Sequence, residues 1–195
     1  MRYVVGYTPT ERGADAVALA SAMARAQGAH LDLVYVVDRH TPYVAMNPEG
    51  NQVSAAEQKI RSAERQGMEL VPEGLEAHFH VRQAESFAAG LIEAALEYRA
   101  GLIVVGAASS GLFKRHTVGN VANALLHAAP VPVALAPHGY RRTEAVTRLT
   151  LAVGQRVGAE AAIDVAIESA ERRGVPLRLV SLVELDVEGD GGENV

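Results

Sequence analysis

Five short apolar runs punctuate the first part of the chain, and a stretch with helical spacing separates each run from the next. The runs are "RYVVGY", "LDLVYVVD", "LEAHFHVRQ", "LIVVG" and "VPVALAP". Residues from about Gly13 to Gln27 carry Ala, Val and Leu at helical spacing and stop at Gly28, a natural helix terminator. "QVSAAEQKIRSAERQGMEL" has helical composition with charges on one face, "SFAAGLIEAALEYRA" opens on Ser86 as its cap, and "NVANALLHAA" is the fourth helical stretch. "RHTPYVAMNPEGN" has the Pro, Gly and Asn content of a loop. Such alternation predicts an α/β fold, a doubly wound parallel sheet of five strands with helices on both faces.

The third run differs in kind. Leu75, Ala77, Phe79 and Val81 fall on one face, and Glu76, His78, His80 and Arg82 fall on the other. Central strands of a parallel sheet are buried on both sides, so this alternation places the third strand at an edge. Right-handed crossovers then give the order 3-2-1-4-5, with strands one and four adjacent. The direction of winding reverses between them, which opens a crevice beyond their carboxyl ends where ligands bind in open α/β sheets. The loops after Gly6 and Gly106 are expected to face it.

Further along, "RLTLAVGQRVGAEAAIDVAIESAERRGVPLRLVSLVEL" restates the beginning. "YVVG" matches "LAVG", Gly28 matches Gly174, and "LDLVYVVD" matches "LRLVSLVE". The expected organisation is a full domain over 1–138, a linker over 139–147, a partial strand-helix-strand repeat over 148–185 and a flexible acidic tail over 186–195. A lone strand-helix-strand unit has apolar faces that it cannot bury alone. Burial between chains is the expected answer, hence a homodimer or larger homo-oligomer.

Composition narrows the functional classes. The chain has 195 residues, 49% hydrophobic and 21% charged, which is the balance of a globular protein. A net charge of -5 argues against nucleic acid or an anionic membrane as partner. With no cysteine there is no thiolate nucleophile, disulfide framework or Cys-based zinc site. The opening "MRYVVGYTPT" has an apolar run too short for a signal peptide or a membrane span, and reads as the first strand of a cytoplasmic protein.

The most informative loop lies in "GLIVVGAASSGLFKRHTVGNVANALLHAAP". Gly106 ends an apolar strand and Gly119 opens a helix whose free N–H groups and dipole attract an anion. Ser109, Ser110 and the amide of Asn120 can bond phosphate oxygens, and Lys114, Arg115 and His116 add positive charge. On these residues alone a phosphate cradle and an ordinary strand-to-helix turn both stand.

This stretch, with "VVGYTPTE" and "LDLVYVVD", resembles the universal stress proteins, and the resemblance covers the whole first domain in element order. Nucleotide-binding members show Gly, two residues, Gly, nine residues, then Gly followed by Ser or Thr. Here Gly106 and Gly119 hold the first and third glycines, Ser109 stands at the second, and Asn120 at the hydroxyl position. Thr8 stands where ATP-binding members carry an Asp. The resemblance implies a Rossmann-like fold and a non-catalytic role in the stress response. Its implied ligand is ATP with magnesium, adenine near Thr8 and Val37, and phosphates along Val105, Gly106, Ser109, Gly119, Asn120, Val121 and Ala122. A second implied behaviour is a dimeric regulatory module that has lost nucleotide binding, in which "VPVALAP" pairs with its copy. An ATP-hydrolysing enzyme is the distant third. "GYTPTERG" offers no base and nucleophile pair and no Walker-type or dinucleotide fingerprint, so no residue is assigned as catalytic.

The remaining histidines carry less. His78 and His80 share one strand face at a spacing that would suit a metal given a third ligand, and solvated edge-strand histidines are the expectation. His116 reads as a surface loop residue, and His127 as a helix C-terminal cation.

Overall fold

The structure is a computed structural model, and it describes residues 1–39, 55–107, 119–154 and 158–181. Ser109, Ser110, Lys114, Arg115, His116 and the acidic tail lie outside the described residues. The chain divides into two compact units, Met1–Ala145 and Val146–Val195.

The first unit runs β1 (Arg2–Gly6), α1 (Glu11–Arg25), β2 (His30–Asp38), α2 (Ala55–Glu69), β3 (Ala77–Ala84), α3 (Phe87–Glu97), β4 (Leu102–Gly106), α4 (Asn120–Ala128) and β5 (Val133–Ala136). Its five strands form one parallel sheet in the order β3-β2-β1-β4-β5, as the alternation in β3 predicts. Register sets Tyr3 beside Leu31 on one side and Leu102 on the other. One apolar layer joins the sheet to α1 and α2 through Tyr3, Val5, Tyr7, Val17, Leu31 and Leu33. A second joins it to α3 and α4 through Val4, Val34, Leu91, Ile103 and Leu125. The apolar face of β3 serves the first layer, since the Phe79 ring meets Tyr7 edge-on and stacks on Tyr35, each with centroids 6.2 Å apart.

Local chemistry sets the helix starts. Thr10 caps α1 by accepting from the Gly13 N–H at 3.4 Å, and Ser86 caps α3 by accepting from the Ala89 N–H at 3.1 Å. Gly119 precedes α4 with φ -64° and brings no capping side chain.

The polar face of β3 is not simply wet. His80 donates Nε2–H to Asp32 Oδ1 at 2.9 Å, and the Arg2 guanidinium donates to the same fully buried carboxylate at 2.7 Å and 2.5 Å. Tyr98 closes the cluster, its ring centroid 4.6 Å from His80 and 4.8 Å from the Arg2 guanidinium carbon. Burial alone would raise Asp32, but the bonds from Arg2 and His80 outweigh it and hold the carboxyl below its ordinary range. The expectation of a solvated histidine therefore fails at His80. It holds at His78, which is exposed with Glu76 4.0 Å away.

The second unit contains β6 (Leu149–Val153), α5 (Ala159–Arg173) and β7 (Leu177–Ser181), with β6 and β7 paired in parallel. Helix α5 ends at Gly174, whose φ of 62° is the left-handed conformation that glycine adopts without strain. Ala170 is its one buried apolar residue among those described.

Candidate functional site

A cavity of ≈ 470 Å³ opens at the carboxyl end of the first sheet, where the chain winds away from β1 and β4 in opposite directions. On the β1 side it is lined by Gly6, Thr8, Arg12 and Gly13, and on the β4 side by Val105, Gly106, Gly119, Asn120, Val121 and Ala122. Phe87, the first residue of α3, completes the wall.

Close backbone approach builds the β1 side. The Thr8 carbonyl accepts from the Thr10 N–H at 2.7 Å, and the two threonine hydroxyls lie 3.0 Å apart. A Cβ on Gly13 would sit 1.9 Å from that Thr8 carbonyl oxygen, so only glycine allows this turn. Gly106 has a similar constraint, because a Cβ there would lie 2.2 Å from the Arg12 carbonyl oxygen. Its lack of a side chain is thus required by the seating of α1 against β4, whatever the cavity holds. Gly119 is free of such a constraint in its backbone angles, which any residue can adopt.

On the β4 side, α4 presents the first N–H groups of a helix without a side-chain cap. Those groups carry roughly half a positive charge between them, a fit for an anion. Arg12 is the one charged residue among the described lining residues, and no carboxylate lies among them.

Of the nine residues expected at the site, Thr8, Val105, Gly106, Gly119, Asn120, Val121 and Ala122 line this cavity. Val37 is not among its lining residues, and Ser109 lies outside the described residues. The bordering strands are β1 and β4, whereas Val37 belongs to β2. Arg12, Gly13 and Phe87 are additions that the sequence reading did not make. Phe87 had a signal, since it directly follows the capping Ser86 and so must stand at the mouth-side end of α3. Among the described residues, no group of three or more His, Asp or Glu side chains is arranged to hold a metal ion.

Residues 1–137 match the sequence model of the universal stress protein family. The chain belongs to that family. A curated universal stress protein of Mycobacterium tuberculosis is 34% identical over 189 residues, an alignment covering 93% of this chain and 64% of the relative. The chain therefore spans under two-thirds of the length of that relative. A crystal structure of a universal stress protein from Archaeoglobus fulgidus superimposes with a TM-score of 0.64 at 15% identity, covering 96% of this chain and 68% of that one. Another, a universal stress protein in complex with cAMP, gives a TM-score of 0.51 at 18% identity, covering 71% of this chain and 98% of that one. Among the described residues of this universal stress protein, no helix is long and apolar enough to cross a membrane.

Proposed function

We propose that this protein binds an adenine nucleotide, with ATP as the first candidate, at the cavity between β1 and β4, and acts as a non-catalytic, cytoplasmic module of the cellular stress response. The observation that carries the reading is the cavity itself, which sets the uncapped N-terminus of α4 beside Gly106 and Gly119 in a chain of this family. A universal stress protein of similar fold is known in complex with cAMP, which favours adenine nucleotides as the first ligands to try. The described wall offers only Thr8 as a side-chain hydroxyl and no carboxylate base, which fits holding a nucleotide better than cleaving one. Val165, Ile167 and Leu179 of the second unit are 52%, 43% and 59% exposed, and this supports a homodimer or larger homo-oligomer.

The test is a calorimetric titration with ATP of the protein and of Gly119→Asp. Aspartate is a better helix N-cap than glycine by a few tenths of a kcal/mol, so the variant should fold at least as well while placing a negative charge where phosphate would sit. Saturable binding by the parent, weakened about tenfold or more in the variant with an unchanged melting temperature, is the expected result. No binding by the parent up to millimolar ATP would leave the alternative, a nucleotide-free dimeric interaction module with Thr8 in place of an Asp.

A further inference from the structure

Magnesium is bound by oxygen ligands, and protein sites that hold it with a nucleotide supply one or two carboxylates beside the phosphates. This cavity does not fit that requirement. Its described wall contains no carboxylate, and Thr8, its one hydroxyl, is turned to Thr10 at 3.0 Å. The two carboxylates nearest in sequence are engaged elsewhere. Asp15 is fully buried, accepts from the Gly139 N–H at 3.1 Å and pairs with Arg141. Glu11 is exposed and lies 4.0 Å from His138. Arg12, in contrast, is exposed on the cavity wall and has no ion-pair partner among the described residues.

We infer that the site holds its nucleotide as the metal-free anion, with Arg12 supplying the positive charge that magnesium would otherwise bring. The inference rests on the nucleotide reading above. Helix α1 contributes to the core layer on one face of the sheet, and α4 to the layer on the other. A phosphate in the cavity therefore meets a full positive charge from the α1 side and the partial charge of a helix terminus from the α4 side. A guanidinium keeps its charge at every accessible pH and presents paired N–H donors that match two phosphate oxygens. Neither feature needs a metal. The base and ribose are uncharged, so the dependence on Arg12 should follow the phosphate and not the nucleoside.

The experiment uses the full chain, with ATP, AMP and adenosine titrated in EDTA and again in excess magnesium. Arg12→Gln and Arg12→Lys are run beside the parent. The Arg12 side chain is exposed and its carbonyl, the group against Gly106, is kept in both variants, so folding should be unaffected. The parent is expected to bind ATP at least as tightly in EDTA as in magnesium. Arg12→Gln should weaken ATP and AMP about tenfold or more and leave adenosine unchanged, and Arg12→Lys should recover part of the loss. If the parent binds ATP only with magnesium, or if Arg12→Gln binds both nucleotides like the parent, the inference fails while the nucleotide reading survives. If the parent binds no adenine nucleotide in either buffer, both fall.

Discussion

The β1-α1-β2 segment and the β6-α5-β7 segment are two versions of one plan, yet they end in opposite conditions. Each places a helix of 15 residues between parallel strands, beginning five residues after a glycine that closes the first strand. At matching positions of the two helices, Val17 is completely buried and Val165 is 52% exposed. In the matching second strands, Leu33 is completely buried and Leu179 is 59% exposed. Local pattern is nearly the same in both, so the difference comes from neighbours. In the first unit β4 pairs with the outer edge of β1, and α3 covers the face of the sheet that α1 leaves open. A strand-helix-strand segment specifies its own geometry but not its own burial. The pairing differs as well, because Leu31 stands opposite Tyr3, three residues before Gly6, while Leu177 stands opposite Leu149, five before Gly154. Gly28 comes three residues after the last helical residue, and Gly174 directly follows its helix. The connection from helix to strand is two residues shorter in the second unit, and this shifts the strand by two, which keeps each side chain on its face.

The sharpest way to break the likeness is at the glycines. Gly13→Ala puts a Cβ against the Thr8 carbonyl, a backbone atom with little freedom to yield. A loss of about 3 kcal/mol or more is expected in urea unfolding. The residue matching Gly13 in the second unit is Ala161, which already carries a Cβ, and Gly154→Ala, with no heavy atom of the described residues within 4 Å of the new Cβ, should stay within about 0.5 kcal/mol of the parent. A loss of under about 0.5 kcal/mol at Gly13 would mean that the first turn tolerates a Cβ as the second already does.

A smaller effect separates the second strands. Asp32 in "LDLV" is fully buried under three donated hydrogen bonds, whereas its counterpart Arg178 in "LRLV" is exposed. Asp32→Asn should cost about 2 kcal/mol at neutral pH, because Asn cannot accept from all three donors as a carboxylate does. Since folding depresses this carboxyl, its contribution is complete above the ordinary value of 3.8 and disappears as pH falls through the lower folded value. The stability gap between parent and Asp32→Asn should thus be constant from pH 7 to about pH 5 and narrow towards pH 3. Arg178→Gln should leave stability unchanged within about 0.5 kcal/mol at either pH. A gap at Asp32 that stays constant down to pH 3 would contradict the hydrogen-bonded carboxylate.

What could be read in the residues beforehand follows from the range of the interactions. Polarity alternating along Leu75 to Arg82 is a local pattern, and it carried the edge position of β3 and with it the strand order. That order in turn sets a switch point and hence a crevice between β1 and β4, and Gly106 and Gly119 mark a loop that faces it. The His80 bond to Asp32 depends on a parallel register that sets Val34 beside His80, and no local pattern encodes that pairing. The contacts of Gly13 with Thr8 and of Gly106 with Arg12 are between backbones, where side-chain chemistry gives no sign. Gly106 accordingly reads as a ligand glycine in the sequence and proves to be a packing glycine as well. The family pattern alone points to Val37 for the adenine end, and the cavity borders β1 and β4.

The finest test asks what covers the second unit. Val165 has the spacing of a core residue and the exposure of a surface one, and an isolated strand-helix-strand unit buries too little apolar area to leave such residues in water without consequence. Replacing it by aspartate should cost the dissociated chain only about 1 kcal/mol in urea, since the side chain is already half in solvent. Association is where the change should register. A charge in a dry contact between copies leaves an unpaired carboxylate buried, so Val165→Asp should sediment as a smaller species than the parent at the same micromolar concentration. If both sediment alike as monomers, the exposed face of α5 is not a contact between copies, and the likeness between the two segments stops at their geometry.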